Sequence, residues 1–238
     1  MKLKRSLIAA RAIVVGDPER ARYISTLLDA PITVSEVREY YTYTGTYKNI
    51  PVTVSSHGVG GSGASVAFEE LIAAGVKVII RAGTCGSFQP EFREASIIIA
   101  TGAIRSDGVT PALIPISYPA VADYSVVQAL KKACSDNPNI KCGIGVIATE
   151  GKLYDGFLGN DNELWSRAGV LAVEMECSVL FVIGSLRKIK TGAILNVDNY
   201  VLDRMKKGGA YDPHRNIVKT GSIIMCQVAL EALISVPI

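Results

Sequence analysis

The sequence predicts a single α/β domain over residues 1–238, an α/β/α sandwich with a central mixed sheet. Short β-branched runs alternate with helical patterns along the chain, which is typical of strands joined by covering helices. No linker, repeat or low-complexity stretch interrupts this alternation. The 238 residues also suit one domain, because α/β sheets commonly reach ~200–250 residues without splitting.

The individual elements follow from where apolar runs begin and where glycine, proline or polar clusters stop them. Residues 12–15 form a β-branched strand that Gly16, Asp17 and Pro18 end, and a polar helix follows over residues 19–28. The later elements, in chain order, are a hairpin with strands over 37–47 and 50–56, a glycine-rich stretch over 58–63, a helix over 62–74, a strand over 77–81 with a small-residue turn over 82–87, a strand over 96–104, a helix over 123–133, a strand over 142–149, a helix over 162–168, a strand end and helix over 172–186, a strand over 190–197 and a long helix over 216–234.

The composition is that of a folded protein, and its pI near 8.5 is compatible with small anionic ligands. Hydrophobic residues make up 49% and charged residues 20%, which excludes a disordered chain. The 25 Lys and Arg against 22 Asp and Glu give a net charge of +3, too little for a nucleic-acid footprint.

Cysteine usage and the N-terminus predict a cytoplasmic protein. The five cysteines include no C-x-x-C pair, which favours reduced thiols over a disulfide framework or a zinc site. Arg11 breaks the apolar stretch that follows the basic N-terminus, and no consistently apolar run reaches the ~18 residues of a membrane span. We therefore expect no membrane partner, no nucleic-acid partner and no metal.

In sheets of this kind the ligand lies beyond the carboxyl ends of the strands, so the segments after strands are the candidate site. Gly16 and Arg20 flank the start of a helix and could form a small anion site, although a plain turn with a surface arginine is favoured for that segment alone. His57 precedes four glycines. It could act as a base, but a buried structural histidine is favoured.

Charged residues that end apolar runs need partners. Arg81 follows three apolar residues and is costly there unless an anion or a carboxylate meets it, and Thr84 can add a donor. Of Glu174 and Glu176, one could be structural and the other could bind ligand hydroxyls. Asp198 ends a strand, where it could supply a proton or form an Asx turn.

Taken together, these side chains predict a site that binds an oxyanion and sugar hydroxyls and holds a proton donor. Three arginines on or near strands (Arg20, Arg38 and Arg81) favour a multiply charged oxyanion such as phosphate. The acid pair favours sugar hydroxyls, and the terminal aspartate favours a proton donor.

The order of these motifs resembles the nucleoside phosphorylase family, which contains hexameric purine nucleoside phosphorylases and uridine phosphorylases. The resemblance runs from Val14 to the last helix, and its most specific part is residues 173–176, Val-Glu-Met-Glu. It implies the following roles: phosphate binding by Gly16, Arg20, Arg81, Thr84 and, from a neighbouring subunit, Arg38; ribose binding by Met175 and Glu176; base binding by Tyr154, Val173 and Glu174; and protonation of the leaving base by Asp198.

The resemblance leads us to predict phosphorolysis of purine nucleosides to free base and ribose 1-phosphate. Inorganic phosphate would be the co-substrate, no cofactor would be needed, and the chain would form a homo-oligomer built from dimers, a hexamer being expected. Uridine phosphorylase and a nucleosidase that uses water are the enzyme alternatives, and a non-catalytic nucleoside-binding protein is the other class.

Some positions depart from the family pattern. No histidine precedes His57, although family members bring an N-terminal histidine to a neighbour's ribose. Residues 153–159 lack the glutamine and arginine with which uridine phosphorylases read uracil, whereas residues 105–108, residues 118–123 and Thr84 look more like the uridine enzymes. Arg204 and Arg215 are possible stand-ins for an arginine that the bacterial purine enzymes carry beyond the catalytic aspartate.

Overall fold

The computed structural model describes residues 1–137, 140–203 and 215–238, and in them ten strands form one mixed sheet. The strands are β1 (Arg11–Val15), β2 (Asp29–Val37), β3 (Tyr40–Tyr47), β4 (Ile50–Ser56), β5 (Val78–Ser87), β6 (Ile97–Ser106), β7 (Ala120–Val121), β8 (Cys142–Glu150), β9 (Ala172–Glu174) and β10 (Lys190–Tyr200). The helices are α1 (Pro18–Ser25), α2 (Gly61–Ala74), α3 (Thr110–Leu113), α4 (Tyr124–Ser135), α5 (Asn162–Arg167), α6 (Cys177–Leu186) and α7 (Asn216–Ser235), after a 3-10 turn at Arg5–Leu7.

One half of the sheet closes into a ring. β5 pairs with β10, β10 with β6, β6 with β8, β8 with β9, and β9 returns to β5. The other half continues from β5 through β1 and β4 to the hairpin strands β3 and β2. The predicted α/β class with a mixed sheet and flanking helices is confirmed, and the ring closure is a feature that the prediction lacked.

Two hydrophobic layers cover the sheet, because successive residues of a strand face opposite sides. In β1, Ile13 and Val15 join the layer beneath α1, α4 and α7, whereas Ala12 and Val14 join the layer beneath α2 and α6. Most strands are therefore apolar throughout, and their carboxyl ends are where polar side chains collect.

Helix α7 is apolar because one of its faces lies in the core. It has 20 residues, and an 18-residue window within it has a mean hydropathy of 1.6, enough by length and composition to cross a membrane, although no such run was predicted from the sequence. Its buried residues, among them Met225, Ala229 and Leu233, pack in the same layer as α4 and β1. This packing accounts for the apolar sequence.

Two sequence predictions of local structure were wrong. Residues 82–87 are not a turn but the second half of β5, because β10 and β9 supply ladder partners for these small residues. Strand β2 was missed because nearly all of its residues are exposed or half-buried, so it carries no apolar run. The chain turns between β2 and β3 at Arg38 and Glu39, inside the predicted strand over 37–47.

Candidate active site

A cavity of about 930 Å³ lies at the carboxyl ends of β1, β4, β5 and β10. This is the position expected for a ligand site in an α/β sheet. Nine of the eleven predicted site residues line it: Gly16, Arg20, Arg81, Thr84, Val173, Glu174, Met175, Glu176 and Asp198. The cavity is large enough for a small organic ligand with an oxyanion beside it.

Two glycine segments lie side by side at the floor of this cavity. The Gly58 N–H donates to the Gly16 carbonyl at 3.0 Å, and the His57 N–H donates to the Val15 carbonyl at 2.9 Å. Gly58 has φ of +75°, a left-handed conformation that favours glycine. Asp17 caps α1 by accepting from the Glu19 N–H at 2.9 Å, which places Arg20 one turn into the helix and on the cavity.

Arg81 is the buried cation of the site, with only 3% of its surface exposed. Its Nε donates to Glu174 Oε2 at 3.2 Å, and its Nη2 donates to Glu176 Oε2. Burial alone would lower the pKa of Arg81, but the carboxylates of Glu176 and Glu174 outweigh it and raise the pKa further above its usual range. The sequence predicted that Arg81 needs an anion or a carboxylate as partner, and the partners are the carboxylates of Glu174 and Glu176.

Glu174 is held by donors of the protein. It accepts from the Thr149 hydroxyl at 2.6 Å, from the Glu176 N–H at 2.8 Å and from the Cys177 N–H at 2.9 Å. These contacts join β8, β9 and the start of α6 to Arg81. They favour the structural reading of this acid, and its assignment to the base stays a prediction.

Glu176 is the more available of the two acids. Its Oε1 accepts from the Gly60 N–H at 2.6 Å, and its carboxylate lines the cavity beside Met175. Burial raises the pKa of Glu176, and the charge of Glu174 adds to this, while Arg81 opposes it. A carboxylate held from one side by Arg81 and Gly60 can accept hydrogen bonds from ligand hydroxyls on the other.

His57 is fully buried and supports Arg81. Its Nε2 lies 3.4 Å from Arg81 Nη1, and its ring meets Phe68 edge to face at 5.5 Å. Burial and the nearby Arg81 charge lower the pKa of His57 well below its usual value, so the ring is neutral near pH 7. This arrangement favours the structural histidine over the general base.

Gly83 is required for the position of Arg81. A Cβ atom at Gly83 would lie 2.4 Å from Arg81 Nη1, so any side chain there displaces the guanidinium. Gly83→Ala is expected to destabilise the protein by about 1–3 kcal/mol, the usual cost of overpacking, and to weaken phosphate binding. Denaturant unfolding and the KM for phosphate measure the two effects. Gly156→Ala is the control and should change neither, because an added Cβ atom there would meet nothing within 4 Å among the described residues.

Asp198 enters the cavity from a β-bulge. On β10, Val197 pairs with Cys85 and Asn199 pairs with the next residue, Gly86, so Asp198 is the extra residue. Asp198 is 2% exposed, and Asn199 Nδ2 donates to its Oδ1. Because of the bulge, the side chains of both Asp198 and Asn199 line the cavity.

Arg215 supports this bulge from outside. Its Nη2 donates to the main-chain carbonyl of Asp198 at 2.6 Å and pairs with Glu94 at 2.9 Å. Arg215 thus holds the backbone of Asp198 rather than its carboxylate. Arg204, the other suggested stand-in, lies outside the described residues.

Two predicted site residues do not line the cavity of this chain. The Arg38 side chain is 80% exposed at the tip of the β2–β3 hairpin, 4.0 Å from Glu39, and Glu39 itself lines the cavity. Tyr154 is 76% exposed, although Leu153 and Asp155 on either side of it are lining residues. The role given to each stays a prediction.

Several polar lining residues after β8 were not predicted, notably Lys152, Asp155 and Asn160. Lys152 Nζ donates to the Gly159 carbonyl, and Asn160 Nδ2 donates to Asp155 Oδ2 at 2.6 Å. Their position after the carboxyl end of a strand was the available signal.

Comparison with known proteins agrees with this fold. A model of the phosphorylase superfamily matches residues 10–234, and the chain belongs to this superfamily. The protein is therefore a nucleoside phosphorylase, an enzyme of the pentosyltransferase class. The purine nucleoside phosphorylase of Plasmodium falciparum (isolate 3D7) is 40% identical over 200 residues, covering 83% of this chain and 81% of that protein.

Both purine nucleoside phosphorylases and uridine phosphorylases are similar to this chain. The uridine phosphorylase of Treponema pallidum (strain Nichols) is 38% identical over 205 residues, covering 82% of this chain and 79% of that protein. The crystal structure of purine nucleoside phosphorylase from Toxoplasma gondii in complex with immucillin-H superposes with a TM-score of 0.91. It is 31% identical, and the match covers 98% of this chain and 96% of that one. The family therefore fixes the reaction class, while the base is a separate question.

Proposed function

We propose that this enzyme cleaves purine nucleosides with inorganic phosphate, releasing the free base and ribose 1-phosphate. The observation that carries the proposal is Asp198, a buried acid on the wall of the cavity that also holds Arg20, Arg81 and Glu176. A purine leaving group needs a proton on its five-membered ring, and a carboxyl group at this place can supply it.

The phosphate would lie between the glycine floor and the arginines. Arg20, Arg81 and Thr84 line one part of the cavity with Gly16, and together they offer charged and neutral donors to an oxyanion. Holding phosphate beneath the anomeric carbon turns a bimolecular attack into a nearly unimolecular one, which is a large entropic contribution to the rate.

The ribose would lie over Met175, with its hydroxyls on Glu176. Arg81 and Gly60 hold that carboxylate from one side, and its remaining lone pairs can accept hydrogen bonds from the cavity. As the bond to the base breaks, positive charge develops on the sugar ring, and nearby negative charge on phosphate stabilises it. Asp198 gives its proton to the base as the bonding electrons depart with it.

Contacts after β8 favour a purine over uracil. A uracil edge needs an amide and a cation to read it, and the segment after β8 offers Asn160 and Lys152. The Asn160 amide is already engaged, since it donates to Asp155 and accepts from the Asn162 N–H at 3.1 Å, and Lys152 uses one of its three donors on the Gly159 carbonyl. A uracil bound there would leave polar groups unpaired, which is costly.

The motif at residues 105–108 does not argue for uridine. Arg105 donates to the carbonyls of residues 114, 115, 116 and 118, so it fastens the loop after α3. Asp107 accepts from Ser178 and Thr110. Burial would raise the pKa of Asp107, but these hydrogen bonds outweigh it and hold the pKa low. Both residues are occupied in supporting the fold.

The deciding experiment is a substrate panel of inosine, adenosine, guanosine and uridine, each with and without phosphate. The proposal expects a purine nucleoside to be cleaved fastest, only with phosphate present, and ribose 1-phosphate to be the product. Faster cleavage of uridine would overturn the purine assignment. Equal rates without phosphate, with free ribose as product, would favour a nucleosidase, for which the arginines have no evident use.

Arg38 supports a shared site in an oligomer. It is exposed in this chain, and its φ of +56° is a conformation that costs a residue with a side chain roughly 1–2 kcal/mol. Glu39 beside it lines the cavity, so this exposed cation lies next to the site. We therefore propose that Arg38 reaches the phosphate of a neighbouring subunit.

Arg38→Gly removes the cation and accepts the same φ, so the fold should be kept. Loss of one charge-assisted contact is expected to raise the KM for phosphate about tenfold or more. Lys48→Gly is the matched control, since Lys48 is also an exposed cation with positive φ in a hairpin turn. An unchanged phosphate KM in Arg38→Gly, or full activity in a species shown by sedimentation to be monomeric, would refute the shared site.

A further inference from the structure

One wall of the cavity is a face of α7. The α7 residues that line the cavity are Val218, Lys219, Ser222, Ile223 and Cys226. Ser222 is half-buried there, among neighbours that are mostly apolar. A hydroxyl on an apolar wall is the kind of group that orients a ligand, because few other polar atoms compete with it.

Asn196 determines the hydrogen bonding of this hydroxyl. Asn196 is fully buried on β10, and its Nδ2 donates to the Val218 carbonyl at 2.8 Å and to Ser222 Oγ at 3.1 Å. A main-chain carbonyl only accepts, so the NH₂ group of Asn196 must face α7, and Ser222 must accept its second hydrogen. The hydrogen of the Ser222 hydroxyl is left without an acceptor in the part of the chain that the structure describes.

The Asn196 amide cannot turn to take that hydrogen. Its Oδ1 atom is buried, has no hydrogen-bond partner among the described residues and lies against Gly221, where an added Cβ atom would come within 2.3 Å of it. A half-turn of the amide would place Oδ1 against the Val218 carbonyl, so two acceptors would face each other. The hydroxyl hydrogen of Ser222 is therefore available to an acceptor in the cavity.

We propose that Ser222 donates a hydrogen bond to the oxygen at position six of a purine base, a role that rests on the proposed purine activity. Asn196 lies two residues before Asp198 on β10, roughly 7 Å along the strand. Its partner Ser222 and Asp198 line the same cavity, so the hydroxyl borders the place where the leaving base receives its proton. On that edge of a purine, the nitrogen of the five-membered ring and the substituent at position six lie side by side.

The direction of this hydrogen bond selects the substituent. An oxygen at position six accepts from Ser222, whereas an amino group there donates and leaves the hydroxyl hydrogen without a partner. Ser222 is thus a specificity-determining residue that favours bases with an oxygen at position six.

The test compares two free bases, hypoxanthine with an oxygen at position six and purine with hydrogen there, as inhibitors of inosine cleavage. Ser222→Ala removes the donor and keeps the bond from Asn196 to Val218. It is expected to raise the inhibition constant of hypoxanthine about five- to tenfold, to change that of purine less than about twofold and to leave the KM for phosphate unchanged. Ser235→Ala is the matched control on the same helix and should change none of the three, because the Ser235 hydroxyl already donates to the Ala232 carbonyl at 2.8 Å.

Equal weakening of both bases would overturn the proposal, because a merely structural defect does not distinguish them. An unchanged inhibition constant of hypoxanthine would overturn it as well, and so would a raised KM for phosphate, which would assign the hydroxyl to the oxyanion. The native enzyme separates this failure from failure of the proposed function. If it prefers uridine to inosine, the purine assignment itself is wrong; if it prefers inosine and Ser222→Ala binds hypoxanthine as before, only the role of Ser222 is wrong.

Discussion

An Asp198→Asn enzyme is expected to turn over inosine at least about 10²-fold more slowly than the native enzyme, with a nearly unchanged KM for phosphate. The substitution keeps the shape of the side chain and removes the acid, and lost general acid catalysis typically costs 10²–10⁴-fold, or roughly 3–5 kcal/mol of barrier. Phosphate affinity should persist because Arg20, Arg81 and Thr84 remain in place. Steady-state kinetics with each substrate varied in turn measures both parameters.

Asp203→Asn is the control for this change. Asp203 pairs with Arg93 at 3.1 Å on the surface, where both side chains are about half exposed. Its loss should alter kcat less than about twofold, because exposed pairs contribute little. If Asp198→Asn cleaved inosine at more than about a tenth of the native rate, the proton would have to come from another group, and the case for a purine substrate would lose its main support.

The sequence was sufficient to predict most of the candidate site, for a physical reason. Buried strands are recognisable as apolar runs. A charged residue at the end of such a run is costly unless a partner or a ligand compensates its charge. Arg81, Glu176 and Asp198 were found in this way. Arg81 and Asp198 converge because β5 and β10 run parallel, whereas Glu176 follows β9, which pairs antiparallel with β5.

The parts that could not be predicted depend on contacts distant in sequence. Residues 82–87 look like a turn by composition, and only the ladders to β10 and β9 make them a strand. The bulge at Asp198 depends on the register between β10 and β5, which no local pattern records. The same holds for the carboxylates that meet Arg81, since Glu174 and Glu176 are more than ninety residues away along the chain.

Tyr154 and Arg38 illustrate a different limit. Both were assigned from a family resemblance, and in one chain neither lines the cavity. The exposed Arg38 is compatible with a site completed by a second subunit. Val173 and Met175 were assigned from the same resemblance, and both do line the cavity.

Arg81→Met is expected to lower the free energy of unfolding by about 3–5 kcal/mol at pH 8, the usual cost of removing one partner from a buried ion pair. Methionine fills much of the same space, so the loss reflects charge rather than a cavity. The carboxylates of Glu174 and Glu176 would be left buried without a cation. Phosphate binding should weaken in the same variant.

The pH dependence identifies the cause. Burial already raises the pKa of Glu176, with Glu174 adding to it and Arg81 opposing it, so removing Arg81 raises this pKa further. A group whose pKa is higher in the folded than in the unfolded state supports the fold below its unfolded pKa and loses that support as pH rises through the folded value. The deficit of Arg81→Met should therefore be smaller at pH 5 than at pH 8.

Denaturant unfolding of native and variant proteins at both pH values measures the difference, and Arg187→Met is the matched control. Arg187 makes a forked contact with Glu69 at 2.9 Å, but both side chains are partly exposed. Its loss should cost less than about 1 kcal/mol and depend little on pH over this range. An Arg81→Met deficit equal at pH 5 and pH 8 would mean that packing, not the two stranded carboxylates, accounts for the stability that Arg81 provides.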